Sequence, residues 1–293
     1  MPSWLTHFAV VTKTFERINK KSLKEVLVKN PTYVFLGGIY ADMYYAGILP
    51  FTSRWSDMMH HEKTGQFACE LLINCNEGRD CKERREVNRL EDWLGKNEKK
   101  DKEIAFALGY LTHIAADITI HPFTMNIIRE KFREKSDAVQ SAEHARCEVH
   151  QDSYIYYECE NSLFSDCNLE EYIEVPYKDR GDAFFRKFPS FLVKVLRESH
   201  SKVYGGSPKA IEIELSYVGA VYALNTQVVI SSREIDRRCI EFRNENYKMK
   251  FEEAVEVASL FLQCACEYLD GKIKSKELRE VILDWNLDSG EML

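Results

Sequence analysis

The stretch Glu103-Ile-Ala-Phe-Ala-Leu-Gly-Tyr-Leu-Thr-His113-Ile-Ala-Ala-Asp117-Ile-Thr-Ile-His121-Pro122 decides how the chain is read. Residues 103–120 are nearly all apolar, with Ile104, Phe106, Leu108, Leu111, Ile114 and Ile118 among them, which predicts a buried helix. His113, Asp117 and His121 interrupt it at intervals of four. Residues four apart share one helix face, so two imidazoles and a carboxylate stand in a row. A carboxylate among Leu, Ile and Ala costs several kcal/mol unless it is paired. No Lys or Arg occurs between Glu103 and Arg129, so the local sequence offers no partner, and a metal ion would supply the missing charge. Pro122 disfavours helical geometry at His121, which places that imidazole where the helix ends or bends.

Further along, His144-Ala-Arg-Cys-Glu148 repeats the spacing, and Asp152 extends the row by another turn. Imidazole nitrogens and carboxylate oxygens are ligands for Zn²⁺. Two helices that face each other with such rows can enclose a pair of metal ions. His150 and His200 read as surface residues, and Asp152 as an outer partner of the site or a plain salt-bridge former.

The rest of the chain is also helical in pattern. Residues 64–76 put Phe67, Leu71, Leu72 and Cys75 on one face; 138–160, 210–230, 232–243 and 251–269 are further candidates, and another helix starts at Leu192. Strand signals are scarce, and the Asp-Gly pair Asp270-Gly271 follows a helical pattern rather than joining two strand patterns, so the expected class is all-α, one multi-helix domain over 1–293. The charged stretch 79–103 reads as a solvated helix and loop, and 199–209, with Gly205, Gly206 and Pro208, as a loop.

Lys and Arg number 40 against 47 Asp and Glu, a net charge of −7, which argues against a module that neutralises phosphates, so no stable nucleic-acid partner is expected. No run of 18–20 consecutive apolar residues suggests a transmembrane segment. The start of the chain lacks a basic region followed by an apolar one, so a cytoplasmic protein is expected. The nine cysteines form no CxxC pair and read mostly as buried thiols.

Taken together these residues resemble the zinc-dependent phospholipase C family, whose all-helical fold is shared with the S1/P1 nucleases. His7, Asp42, His61, His113, Asp117, His121, His144 and Glu148 follow the family's order of ligands. Gly37-Gly38-Ile39-Tyr40-Ala41-Asp42 resembles its glycine-containing stretch ending in an acid. His61-Glu62-Lys63, the opening Met1-Pro2-Ser3 and Leu108-Gly109-Tyr110-Leu111-Thr112-His113 are similar to intracellular bacterial-type members. The resemblance implies two or three zinc ions. Asp42, His61, His113 and Asp117 would hold one, with His60 as the alternative to His61. His121, His144 and Glu148 would hold a second; His7, a bridging Asp117 and the chain terminus would hold a third. It implies a phosphoester substrate, a phospholipid headgroup among the candidates, with Asp42 orienting or deprotonating the attacking water. An S1/P1-type nuclease and a non-catalytic zinc protein that kept the cluster are the alternatives. Tyr44, Tyr45, Phe51 and Trp55 would supply an aromatic wall for a headgroup or base, if they are not core.

Overall fold

A computed structural model describes residues 4–76, 97–155, 170–180, 187–233 and 245–293. In chain order its helices are α1 (Trp4–Arg17), α2 (Lys21–Lys29), α3 (Pro31–Gly38), α4 (Ser53–His61), α5 (Thr64–Asn76), α6 (Glu98–Phe132), α7 (Asp137–Tyr154), α8 (Glu170–Ile173), α9 (Ser190–Tyr204), α10 (Ala210–Arg233), α11 (Glu245–Leu269) and α12 (Ser275–Val281). The class is all-α, as expected. Among the described residues the one sheet is a hairpin of β1 (Trp285–Asn286) and β2 (Glu291–Met292). Most of 79–103, the end of 138–160 and nearly all of 232–243 lie outside the described residues.

The 35-residue α6 is the axis. Asn97 caps it, its side chain accepting from Lys100 N, and α3 and α11 pack along its length. By length and composition α6 could cross a membrane, but 94% of its most apolar window is buried inside this protein, so here it is a core helix. Its first turn corrects the solvated reading of residues up to 103. Asp101, Lys102 and Glu103 are buried; Lys102 Nζ reaches Glu98 at 2.7 Å and Asp179 at 2.8 Å, and Glu103 pairs with Lys100 at 2.7 Å. Nor does the helix end at His121: it runs through Pro122 to Phe132. Proline leaves the Ile118 carbonyl without its helical donor. Gly290 lies over that spot so closely that a Cβ there would be 2.7 Å from Pro122 Cγ and 2.9 Å from Ile118 O.

Two glycines set the distance between α3 and α6. A Cβ on Gly37 would lie 2.0 Å from Phe106 O, and one on Gly109 would lie 1.9 Å from Val34 O. The two backbones therefore touch, and Asp42, just past α3, comes beside His113 and Asp117 on α6. One continuous core, with Phe8, Tyr40, Phe67, Phe106 and Tyr110 at its centre, extends from Trp4 to Leu287. Cys69, Cys75, Cys147, Cys264 and Cys266 are buried free thiols, as the sequence suggested.

Candidate metal centre

Five buried residues from four parts of the chain converge. His7 comes from α1, Asp42 from the turn after α3, His60 from the last turn of α4, and His113 and Asp117 from one face of α6. The backbone fixes two of the imidazoles. His60 Nδ1–H donates to Ser56 O at 2.7 Å and His113 Nδ1–H to Gly38 O at 3.0 Å. A carbonyl can only accept, so in both rings Nδ1 carries a proton, and Nε2, the nitrogen left for a cation, faces the cluster. His60 Nε2 lies 3.1 Å from Asp42 and 3.3 Å from Asp117, while His113 Nε2 lies 3.1 Å from Asp117. His7 Nε2 is 3.5 Å from each carboxylate, and its ring stacks on His113 at 4.4 Å.

None of these Nε2 atoms, and none of the four carboxylate oxygens, makes a hydrogen bond. Buried polar atoms are normally satisfied. Here potential ligand atoms converge on common points instead, which is the arrangement a divalent cation needs. His7, His113 and Asp117 form one such group, and Asp42, His60 and His113 form another.

Electrostatics agree. Burial acts against both carboxyl groups, yet the His113, His60 and His7 imidazoles hold Asp42 below the usual carboxylate range and Asp117 well below it. Burial opposes the charge on His60, but Asp117 and Asp42 outweigh it and raise its pKa to about 10. Without a metal, protons must provide the positive charge this cluster demands.

One helical turn further on, His121 from α6 meets His144 and Glu148 from α7 in a third group. His121 Nε2 lies 3.0 Å from His144 Nε2, which is 3.3 Å from Glu148 Oε1. Burial lowers the pKa of His121 to about 4 and of His144 to about 3, and raises that of Glu148 to about 7. Both rings are neutral donors at neutral pH, and Glu148 releases its proton readily when a cation arrives. This group is the open end of the centre, with the side chains of His144 and Glu148 24% and 19% exposed, whereas the first cluster is closed.

The structure thus gathers every expected ligand except His61. His61 Nε2 turns outward to Asp288 Oδ2 at 2.8 Å, while its neighbour His60 faces Asp42 and Asp117. The reason is the face of α4: Trp55, Ser56, Met59 and His60 are buried together, and His61 is one step past that stripe. The chain terminus expected beside His7 lies outside the described residues.

Other expectations need correction. His200 is fully buried, not a surface residue: its Nε2 meets Tyr40 OH at 3.2 Å, its ring packs on Phe67, and burial lowers its pKa to about 3. His150 is also buried. Asp152 Oδ1 accepts from Thr6 N and Thr6 Oγ1, both at 3.0 Å, so it pins the first turn of α1 that carries His7. Of the four aromatics near Asp42, Tyr44 and Trp55 are core; Tyr45 and Phe51 are exposed. The sequence reading missed Asp288 altogether, because only the fold brings the turn Asn286-Leu-Asp-Ser-Gly290 beside His61 and His121.

Comparison with known proteins gives one finding. A family model described as zinc-dependent phospholipase C matches residues 6–201, which include every side chain of the three groups. No curated protein and no solved structure matches.

Proposed function

This chain belongs to the zinc-dependent phospholipase C family, and on that premise we propose that it is a phospholipase C-like phosphodiester hydrolase working at a cluster of two or three zinc ions. The observation that carries the reading is the set of orphaned, converging Nε2 and carboxylate atoms buried in the core. Asp42, His60, His113 and Asp117 would hold one ion, His121, His144 and Glu148 a second, and His7 with Asp117 a third. Zinc bound there supplies positive charge against a phosphoryl group and makes water acidic enough to attack near neutral pH.

The protein's own side chains supply the rest. Asp117, placed between His7, His60 and His113, holds the ligand rings together and would be shared between two metal positions. Asp42 orients the attacking water and takes its proton at a carboxylate oxygen. The substrate phosphate enters at the open end, past His144 and Glu148. Tyr45 stands beside the cluster with its ring 5.6 Å from His60 and its OH donating to Asp57 at 2.9 Å. An aromatic face with a carboxylate at its edge suits a cationic headgroup such as choline. Residues 1–293 act as one unit, since the core that supports α6 draws on elements from both ends of the chain.

The test is metal analysis of the purified protein together with turnover of p-nitrophenylphosphorylcholine and of single-stranded DNA. Zinc content with turnover of the first substrate, abolished by chelation and restored by zinc, is the expected result. Turnover of DNA alone would make the protein a nuclease. Bound zinc with no turnover of either would make it a non-catalytic zinc protein.

A further inference from the structure

The family match ends at residue 201, yet the turn between β1 and β2 sits against the centre. Leu287 N donates to His60 O at 2.8 Å, so the turn is fastened to the backbone of a ligand residue. Asn286 Oδ1 accepts from Asp288 N and Ser289 N, at 3.0 and 3.1 Å, which shapes the turn. Asp288 then bridges two helices. Its backbone carbonyl accepts from His121 Nδ1–H at 3.1 Å, its Oδ1 lies 3.4 Å from the same nitrogen, and its Oδ2 lies 2.8 Å from His61 Nε2.

The consequence is chemical. With its proton committed to Asp288 at Nδ1, His121 presents an unprotonated Nε2 to the point it shares with His144 and Glu148. A carboxylate beside the Nδ1–H fixes the ring's orientation and makes Nε2 a stronger donor. His60 and His113 have a carbonyl alone in this role; among the described residues, His121 has both a carbonyl and a carboxylate. His61, which faces away from the ligand cluster, anchors that carboxylate from the other side.

We propose that Asp288 is a positioning residue of the metal centre, holding His121 as a zinc donor, with His61 as its anchor. The inference rests on zinc occupying the His121–His144–Glu148 group. In the full-length protein, zinc retained per chain is measured by elemental analysis against rising chelator, for the parent and for Asp288→Ala, Asp288→Asn and Asp284→Ala. Asp284 docks the same segment, accepting from Gln66 N at 2.8 Å and Gln66 Nε2 at 2.6 Å. It therefore reports a purely structural effect. Asp288→Ala should release one zinc equivalent at about tenfold lower chelator. Asp288→Asn, which can still accept from His61, should recover part of that loss, and Asp284→Ala should retain zinc like the parent. Should Asp288→Ala not fold, Asp288→Asn decides: retention equal to the parent counts against the proposal. Equal retention in Asp288→Ala and the parent, or equal loss in Asp284→Ala, overturns it. A parent chain without zinc overturns the metal reading itself, so the two failures are distinguishable.

Discussion

Gly109→Ala tests whether the contact of α3 with α6 builds the centre. In an ordinary helix this change would stabilise by up to about 1 kcal/mol. Here the new Cβ would lie 1.9 Å from Val34 O, where ordinary contact begins at 3.4 Å, so the helices must part by about 1.5 Å. The His113 Nδ1–H bond to Gly38 O, now 3.0 Å, spans the same gap and would open beyond hydrogen-bonding distance. Overpacking costs about 1–3 kcal/mol, which outweighs the propensity gain. Asp42 moves with α3 while His113 and Asp117 stay on α6, and a misplacement of about 1 Å at a reacting centre can cost roughly 100-fold in rate. The assays are urea unfolding in chelator, zinc per chain, and turnover of p-nitrophenylphosphorylcholine. Gly37→Ala makes the same contact from the opposite helix, 2.0 Å from Phe106 O, and should behave alike. A Gly109→Ala protein that is more stable than the parent and keeps its full zinc content would refute the reasoning.

Asp117→Asn removes the carboxylate that His7, His60 and His113 share. It should lose zinc and activity, and destabilise the metal-free protein by about 3–5 kcal/mol, read from zinc analysis and denaturation; full zinc and activity would contradict the assignment. Metal-free stability should peak near pH 6.5. Above it, His60 loses the contribution it makes in full below 6.5, as pH rises through about 10. Below it, His7, His121, His144 and His200, lowered by burial to about 3–4, must charge, and then Asp42 and Asp117 must protonate. Urea midpoints in chelator at pH 5, 6.5 and 9 check this, and a value at pH 9 equal to that at 6.5 would contradict it. Asp152→Ala leaves the buried Thr6 N–H without its acceptor and should cost about 1–2 kcal/mol in thermal or chemical unfolding.

Much of the centre was legible because helices repeat. The spacing of His113, Asp117 and His121, and of His144 and Glu148, alone placed each set on one face. The same logic could have separated His60 from His61, since Trp55 and Met59, four apart, mark the buried stripe that His60 borders. It could also have placed His200 inside, because Leu192, Val195, Leu196, Ser199 and His200 follow the spacing of a buried face. Asp288 is different in kind. It lies 167 residues from His121, in a turn whose composition says only that it is a turn, and tertiary packing alone joins the two. The passage of α6 through Pro122 is likewise tertiary: Gly290 lies over the carbonyl that proline strips of its donor.

The most direct measurement is a crystal structure of the purified protein with anomalous scattering recorded on both sides of the zinc edge. The account predicts zinc peaks where the Nε2 atoms of His60 and His113 meet Asp42 and Asp117, and where His121, His144 and Glu148 meet. A crystal grown with zinc that shows no peak at either place would contradict it.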